Sequence, residues 1–249
     1  MDTTLIKGLG LLARLARAPG PRSIAELAQE QGLHKSNIHR VLKTLMHCGF
    51  VLQLPDGRYA PTLQLWELGN AVVERIDLGA IARPVLERLG RDSGEDVYLA
   101  TLEGVQTVFI DRWEGVTPLR PYYRLGTRLP SHCNAAGKAM LAHLDEAALL
   151  AATARLKRYT GTTLATRPQL LAELERIRAQ GFAVNNAERE PGAYSVAAAV
   201  RSGTGQPVAS FAMMLPAARM APAPLAAAAG MVRRAAAELA AALRGAPLN

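Results

Sequence analysis

Cysteine is nearly absent from this chain of 249 residues: Cys48 and Cys133 are the only two, and they stand far apart. Two such thiols make neither a close-spaced metal motif nor a secreted disulfide framework. Long hydrophobic runs are lacking too. The longest alanine-rich, charge-free tract, Met220–Val232, contains two prolines and runs into Arg233 and Arg234, too short to span a bilayer. The N-terminus has no long apolar core followed by a cleavage signal, so a reducing cytoplasm is the expected location, with no membrane partner. Acidic residues are in deficit, 21 against 29 Lys and Arg, for a formal charge of +8. That balance favours an anionic partner, nucleic acid first, without by itself separating DNA from a membrane surface or an acidic ligand. What is present is a globular composition, 49% apolar and 20% charged. The length suits one large domain or two ordinary ones.

The first unit reads as three helices and a hairpin. Leu5, Leu9, Leu12 and Ala16 repeat at helical spacing until Pro19-Gly20-Pro21 stops the run. Ser23 with Glu26 three residues on forms a capping-box pattern, and Gly32 ends that helix. A third helix is expected from Lys35 to His47, closed by Gly49. Phe50–Leu54, the Pro55-Asp56-Gly57 turn and Arg58-Tyr59-Ala60 then read as a hairpin.

On the third helix Ile38, Val41, Leu42 and Leu45 share one face, while Ser36, Arg40, Lys43 and His47 lie opposite with His39 at the margin. One face can close a core while the other meets phosphates and base edges, which is what a helix entering the major groove requires. Arg40 is the best base-reading candidate because its fork matches guanine bidentately. Ser36, Asn37 and His39 are candidates for bases or phosphates, and Lys35 and Lys43 for phosphates. Arg58, beside the turn, is the candidate wing contact to phosphate or the minor groove. Residues 1–66 carry eight basic and four acidic side chains, a denser positive charge than the rest. The bland reading is a winged helix that contacts only protein. Cys48, beside the apolar face, is expected in the core.

Leu65, Leu68, Val72 and Ile76 continue a helical stripe over Leu63–Leu78, with another helix over Ile81–Leu89. Leu65, Trp66 and Leu68 lie close together on a segment between domains, which is expected to pack against something, and self-association is a live possibility. Beyond it, strands are expected at Val97–Leu102, Thr107–Ile110, Ala183–Asn185, Tyr194–Val200 and Pro207–Leu215. Helices are expected at Asn134–His143, Asp145–Lys157, Arg167–Gln180 and Ala223–Leu243. Helices around one antiparallel sheet make an α+β domain.

The most distinctive tract there is Leu129–Ala139. Asn134 is a reasonable N-cap, and amides of the next turn could hold a ligand carboxylate. Lys138 could attract the same anion or pair with an acid. His132-Cys133 suggests a catalytic thiol only weakly, because adjacency does not set attack geometry and no orienting acid is identifiable. Glu188 and Glu190, in the loop Asn185–Gly192, read as solvated or salt-bridged side chains and not as paired catalytic acids. No histidine joins them in a metal motif, and no cofactor is expected. Ser195 could point a hydroxyl into a cavity. Phe211, Met213 and Met214 line such a cavity or fill the core. Gly203-Thr204-Gly205 is a turn signal without the rest of a phosphate-binding loop.

In this ordered combination the chain resembles the IclR family of bacterial transcription regulators. The resemblance rests on Gly32–Leu45, Gly49-Phe50-Val51, Leu125-Gly126, Leu129-Pro130, His132, Ala135–Ala139, Tyr159-Thr160, Gly181-Phe182-Ala183, Glu188, Gly192 and Pro216–Arg219. It covers Leu5 to Leu243. It implies a winged helix-turn-helix over residues 1–62, a linker helix over 63–78, and a GAF-like effector-binding and oligomerisation domain over 79–249. It also implies homodimers or homotetramers on partly palindromic double-stranded operators, controlled by small organic acids, as repressor or activator, and no enzyme. Carrying the family's pocket roles onto this chain points to Ala135 and Ala136, to Asn185 where an acid often stands, and to Ser195 where cysteine is common. Ala212 and Met214 stand where small polar residues are frequent, and Ala199 where proline is. These departures point to a small carboxylate with an aromatic or otherwise apolar portion. The rival readings are a regulator governed by protein association alone and, more distantly, a Cys133-dependent enzyme.

Overall fold

Local stop signals divide the first part of the chain into short helices. The computed structural model describes residues 1–68, 78–116 and 123–244. In it, α1 (Thr3–Arg17), α2 (Ile24–Gln31) and α3 (Lys35–His47) precede a two-stranded wing, β1 (Val51–Gln53) and β2 (Tyr59–Pro61). The Asp2 carboxylate caps α1 by accepting from the Thr4 and Leu5 amides. Ser23 and Glu26 form the full reciprocal capping box at α2. Gly32 and Gly49 follow α2 and α3 at φ 63° and 79°. After Gly49, the Phe50 amide returns to the Leu45 carbonyl at 2.9 Å, sealing the end of α3.

Leu11, Leu15, Leu27, Ile38, Leu42, Val51 and Tyr59 are buried together and hold the three helices and the wing. Leu5 and Leu9, expected on the packed stripe of α1, are instead 59% and 57% exposed. Of the expected stripe Leu12 is buried, and it packs with Leu11 and Leu15 on a face turned by about one residue. Cys48 is exposed, which corrects its expected place in the core: it follows the last turn of α3, where the chain leaves the helix. Leu63 and Trp66 are exposed at 76% and 66%, and residues 64–68 are helical. The rest of the expected linker stripe, including Val72 and Ile76, falls in residues 69–77, outside the described residues.

The chain divides into two compact units, Met1–Arg75 and Ile76–Asn249. The second contains α4 (Leu78–Ser93), β3 (Val97–Glu103), β4 (Gln106–Trp113), β5 (Arg128–Pro130), α5 (Ala135–Leu141), α6 (Glu146–Ala152), α7 (Arg167–Gln180), β6 (Ala183–Asn186), β7 (Tyr194–Arg201), β8 (Pro207–Leu215) and α8 (Pro222–Arg244). Its six strands form one antiparallel sheet in the order β5-β4-β3-β8-β7-β6. Helix α6 is shorter than the expected Asp145–Lys157. The Thr153 hydroxyl turns back onto the Leu149 carbonyl at 2.8 Å and the helix stops at Ala152.

Both faces of the sheet are covered. Val97, Leu99, Val196, Ala198, Phe211 and Met213 pack toward α4 and α8. The alternate residues Tyr98, Ala100, Ala197, Ala212 and Met214 pack with Ala135, Ala136, Met140, Leu170 and Leu174 of α5 and α7. Double burial explains why β7 and β8 read as continuous apolar runs instead of alternating ones. No helix among the described residues is long and apolar enough to cross a membrane.

Helix α5 lies hard against the turn before it. A Cβ on Gly137 would stand 2.5 Å from the Ser131 Cα, and closer still to the Ser131 carbonyl oxygen. Backbone cannot swing away as a side chain can, so Gly137→Ala is expected to destabilise the second unit by about 1–3 kcal/mol. Thermal melting of the full chain measures it. An unchanged midpoint would mean that this approach is looser than described.

Candidate functional site

In the first unit the outward face of α3 carries Lys35, Ser36, His39, Arg40, Lys43 and Thr44, all exposed, with Asn37 partly so. Ile38 and Leu42, at 1% and 0% exposure, fix that face by burying the opposite one. Residues 31–55 contain no acid, and none of Lys35, Arg40 or Lys43 has an ion-pair partner among the described residues. The acids just upstream are neutralised at their source. Arg22 reaches Glu26 at 3.4 Å and Glu30 at 3.5 Å, leaving the α3 surface without an opposing charge.

The wing is registered to α2 by a backbone exchange. The Arg22 amide donates to the Tyr59 carbonyl at 2.9 Å, and the Tyr59 amide donates back at 2.7 Å. As a result Ser23, Ala25 and Gly57 border the same shallow surface as Lys35, Ser36 and His39. Sequence reading missed Ser23 and Ala25 because only packing brings the start of α2 beside α3. Arg58 is exposed, but its guanidinium is held by Asp56 at 2.6 Å, so a phosphate contact there must compete with that carboxylate. The Thr44 hydroxyl is turned onto the Arg40 carbonyl at 3.2 Å.

In the second unit the expected pocket residues lie close together and buried. Asn185, Ser195 and Met214 are register neighbours across β6, β7 and β8. Ala135, Ala136, Ala212 and Met214 share the cluster under α5. The two asparagines are bonded within the fold. Asn134 accepts from the Gly137 amide at 2.7 Å and donates to Thr107 Oγ1 and the Pro130 carbonyl. Asn185 donates to the Ala193 carbonyl at 2.8 Å and accepts from the Glu188 amide at 3.0 Å. Their side chains therefore shape walls. Beside them Tyr98, Phe109 and Tyr123 form an aromatic group, with Phe109 and Tyr123 stacked at 5.2 Å.

Lys138 takes the second of its two expected courses: it pairs with an acid. At 1% exposure it meets Glu188 at 2.5 Å and Glu173 at 3.7 Å. Glu188 is accordingly a buried partner and not a solvated loop residue, and burial raises its carboxyl above the usual range while Lys138 pulls it back. Thr163 Oγ1 donates to the Glu188 carbonyl at 2.6 Å, and Tyr123 donates its hydroxyl to Glu190 at 2.5 Å. The segment 185–193 is thus a strap held by side chains from several elements. The sequence offered Lys138 an acidic partner and Glu188 a salt bridge without saying that each would be the other's.

Cys133 is fully buried, and burial pushes its thiol up to about 12. Its Sγ donates to the Pro130 carbonyl, while the His132 ring faces the Lys157 carbonyl at 2.9 Å and burial lowers its pKa. The pair therefore has neither a thiolate nor a base aimed at it, contrary to what a Cys133-dependent enzyme requires. Among the described residues no group of three His, Cys, Asp or Glu side chains is placed to hold a metal.

Comparison with known proteins follows the same division. Residues 4–55 match the IclR helix-turn-helix domain, and residues 70–241 match the domain described as bacterial transcriptional regulator IclR C-terminal. The HTH-type transcriptional regulator XynR of Escherichia coli is 35% identical over 193 residues, 76% of this chain and 77% of that protein. The crystal structure of the Thermotoga maritima IclR superposes with a TM-score of 0.82 at 30% identity, covering 98% of this chain and 99% of that one. An IclR homolog from Microbacterium hydrocarbonoxydans shares the fold at a TM-score of 0.85 and 22% identity, covering 98% of this chain and 100% of that one. A positive, acid-free helix face on a winged unit and a helix-covered antiparallel sheet in the second unit agree with these matches: the chain is a DNA-binding transcriptional regulator of the IclR family.

Proposed function

We propose that this regulator reads a palindromic operator as a homo-oligomer whose DNA affinity is set by a small organic acid with an aromatic or apolar body. The observation that carries the reading is the α3 face, on which Arg40 stands between Lys35 and Lys43 with no carboxylate in reach. Arg40 then reads a base edge, while Lys35 and Lys43 position the helix on phosphates. Ser36, Asn37 and His39 supplement these contacts, and Arg58 joins them once it leaves Asp56. Pairing two copies is supported by the apolar surface that the first unit leaves exposed: Leu5, Ile6 and Leu9 on α1, and Trp66. Two copies present two recognition helices to half-sites about one turn apart.

For the effector, Ser195, Ala212 and Met214 on the inner face of the sheet and Ala135 and Ala136 on α5 stand beside Tyr98 and Phe109, an apolar and aromatic lining whose hydroxyls are those of Ser195 and Tyr98. The Microbacterium homolog was crystallised with 4-hydroxybenzoate, a ligand of the size and character this lining suits. These side chains are buried, so a ligand enters by loosening the strap 185–193. Binding there shifts the oligomer between arrangements with different DNA affinity. The experiment is anisotropy titration of the full chain on an operator recovered by genomic footprinting, with and without 4-hydroxybenzoate. Saturable binding of the acid with a changed operator affinity supports the reading. Indifference to aromatic and keto acids alike, with an operator affinity that follows protein concentration alone, sinks it.

Lys43→Ala provides a finer check. Removing one phosphate contact from each of two half-sites is expected to weaken specific and random duplexes equally and to reduce the slope of log K against log salt by about 2. A selective loss on the operator would make Lys43 a base reader.

A further inference from the structure

Sheet strand β7 is longer than its neighbour β6. Their pairing ends at Ala183 opposite Ala197, so Ala198–Arg201 has β8 on one side and no described strand on the other. Along this edge runs a trough of about 870 Å³. Its walls carry Arg178, Arg201, Arg233, Arg234 and Arg244 together with His143, and no carboxylate. Arg178 is committed, donating to Glu175 and to the Ala142 carbonyl, both at 2.5 Å. Arg201, Arg233, Arg234 and Arg244 have no hydrogen-bond or ion-pair partner among the described residues.

The rest of the lining keeps the trough open. Ala198, Ala237 and Ala240 put nothing larger than a methyl group into it. A Cβ on Gly181 would come within 3.2 Å of Arg233 Nε, and one on Gly230 within 3.4 Å of Arg234 Nη1. Glycine at both positions leaves the guanidinium groups room to lie over the trough. The turn Ser202–Gly205 closes one end, held by Ser202 N to Gln206 O at 2.8 Å and Gly205 N to Ser202 O at 3.0 Å. Within that turn the amides of Gly203 and Thr204 have no acceptor among the described residues. His143 registers the field: burial, then the charges of Arg201 and Arg178, hold its ring below the ordinary histidine range.

Four unpaired guanidinium groups around one hollow repel each other, and a single carboxylate answers only one of them. A second copy meeting this trough with its own, as in a two-fold contact, would set the same cations against each other. The forked geometry of arginine matches phosphate oxygens, and a glycine-containing turn offers amides to the same kind of atom. We propose that this trough binds a small polyanion carrying at least two phosphate-like groups, separately from the organic acid of the inner sheet face. A volume of this size accommodates a metabolite bearing two such groups.

Calorimetric titration of the full chain with inorganic phosphate, pyrophosphate and tripolyphosphate at constant ionic strength tests this. Pyrophosphate is expected to saturate and to bind at least about tenfold more tightly than phosphate. Arg201→Ala with Arg233→Ala should weaken pyrophosphate at least about tenfold while melting and operator affinity without polyanion stay unchanged. Arg88→Ala, on α4 outside the trough, is the control and should leave binding intact. No saturation at millimolar pyrophosphate, or an equal loss in the Arg88 variant, overturns the proposal. So does a loss of operator affinity in the double variant without polyanion, which would make the trough a DNA surface. Competition by polyglutamate with no binding of pyrophosphate would overturn it as well, in favour of protein docking.

Discussion

Arg40→Ala is expected to erase the preference for the operator over random duplex while leaving the protein folded. A bidentate pair between guanidinium and guanine is worth about 1–3 kcal/mol of discrimination, which corresponds to roughly 5–150-fold per half-site. Two half-sites in a symmetric complex multiply that loss. Folding is spared because Arg40 is exposed and the packing of α3 is carried by Ile38 and Leu42 on the other side. Competition anisotropy with operator and shuffled DNA reads the ratio directly. A ratio equal to that of the unmodified protein would remove Arg40 from base reading and move the search along the same face to Asn37 and His39.

Lys138→Met should produce the largest loss of stability of any conservative change in the second unit. The substitution keeps the aliphatic stem and removes only the ammonium, so Glu188 is left buried at 4% exposure without its cation. Breaking one half of a buried pair costs about 3–5 kcal/mol, a drop of roughly 6–20 °C for a unit of this size. Glu173 suffers less because it keeps Arg176 at 2.8 Å. The second change Glu188→Gln, made on top of Lys138→Met, is expected to recover most of the loss, since the orphaned charge goes with it. Scanning calorimetry of the single and double variants decides. A single variant that melts within a degree or two of the parent would show that the pair is screened by water.

The parts of this molecule that a reader of the sequence could recover are those written within a few residues of each other. The capping box at Ser23 and Glu26, the closure at Gly49 and the two faces of α3 depend on spacings of three or four, and the chain obeys them. Asn134 as a cap belongs to the same class. Arg58 and Asp56 are also neighbours, yet their ion pair was not read, because an adjacent acid says little about whether two side chains converge. Lys138 and Glu188 lie on opposite sides of α6 and α7 in the chain, and only the sheet order brings them together. Leu5 and Leu9 have the same spacing as a core stripe and are exposed all the same; periodicity marks an apolar face without saying what covers it. The arginine trough left no local signature, since its cations come from α7, β7 and α8.

The sheet of the second unit has consequences for how a signal leaves it. Along β7 and β8 every residue facing one layer has neighbours on either side that face the other, so Ser195, Ala197 and Met214 back directly onto Val196, Ala198 and Met213. Interiors packed at crystalline density do not absorb a new guest by compressing. A ligand wedged beneath α5, as proposed above, would therefore bow the strands and change the seat of α4 and α8. With a ligand seated as proposed, the six strands would act as a diaphragm, carrying pressure from one side to the other with no hinge between them.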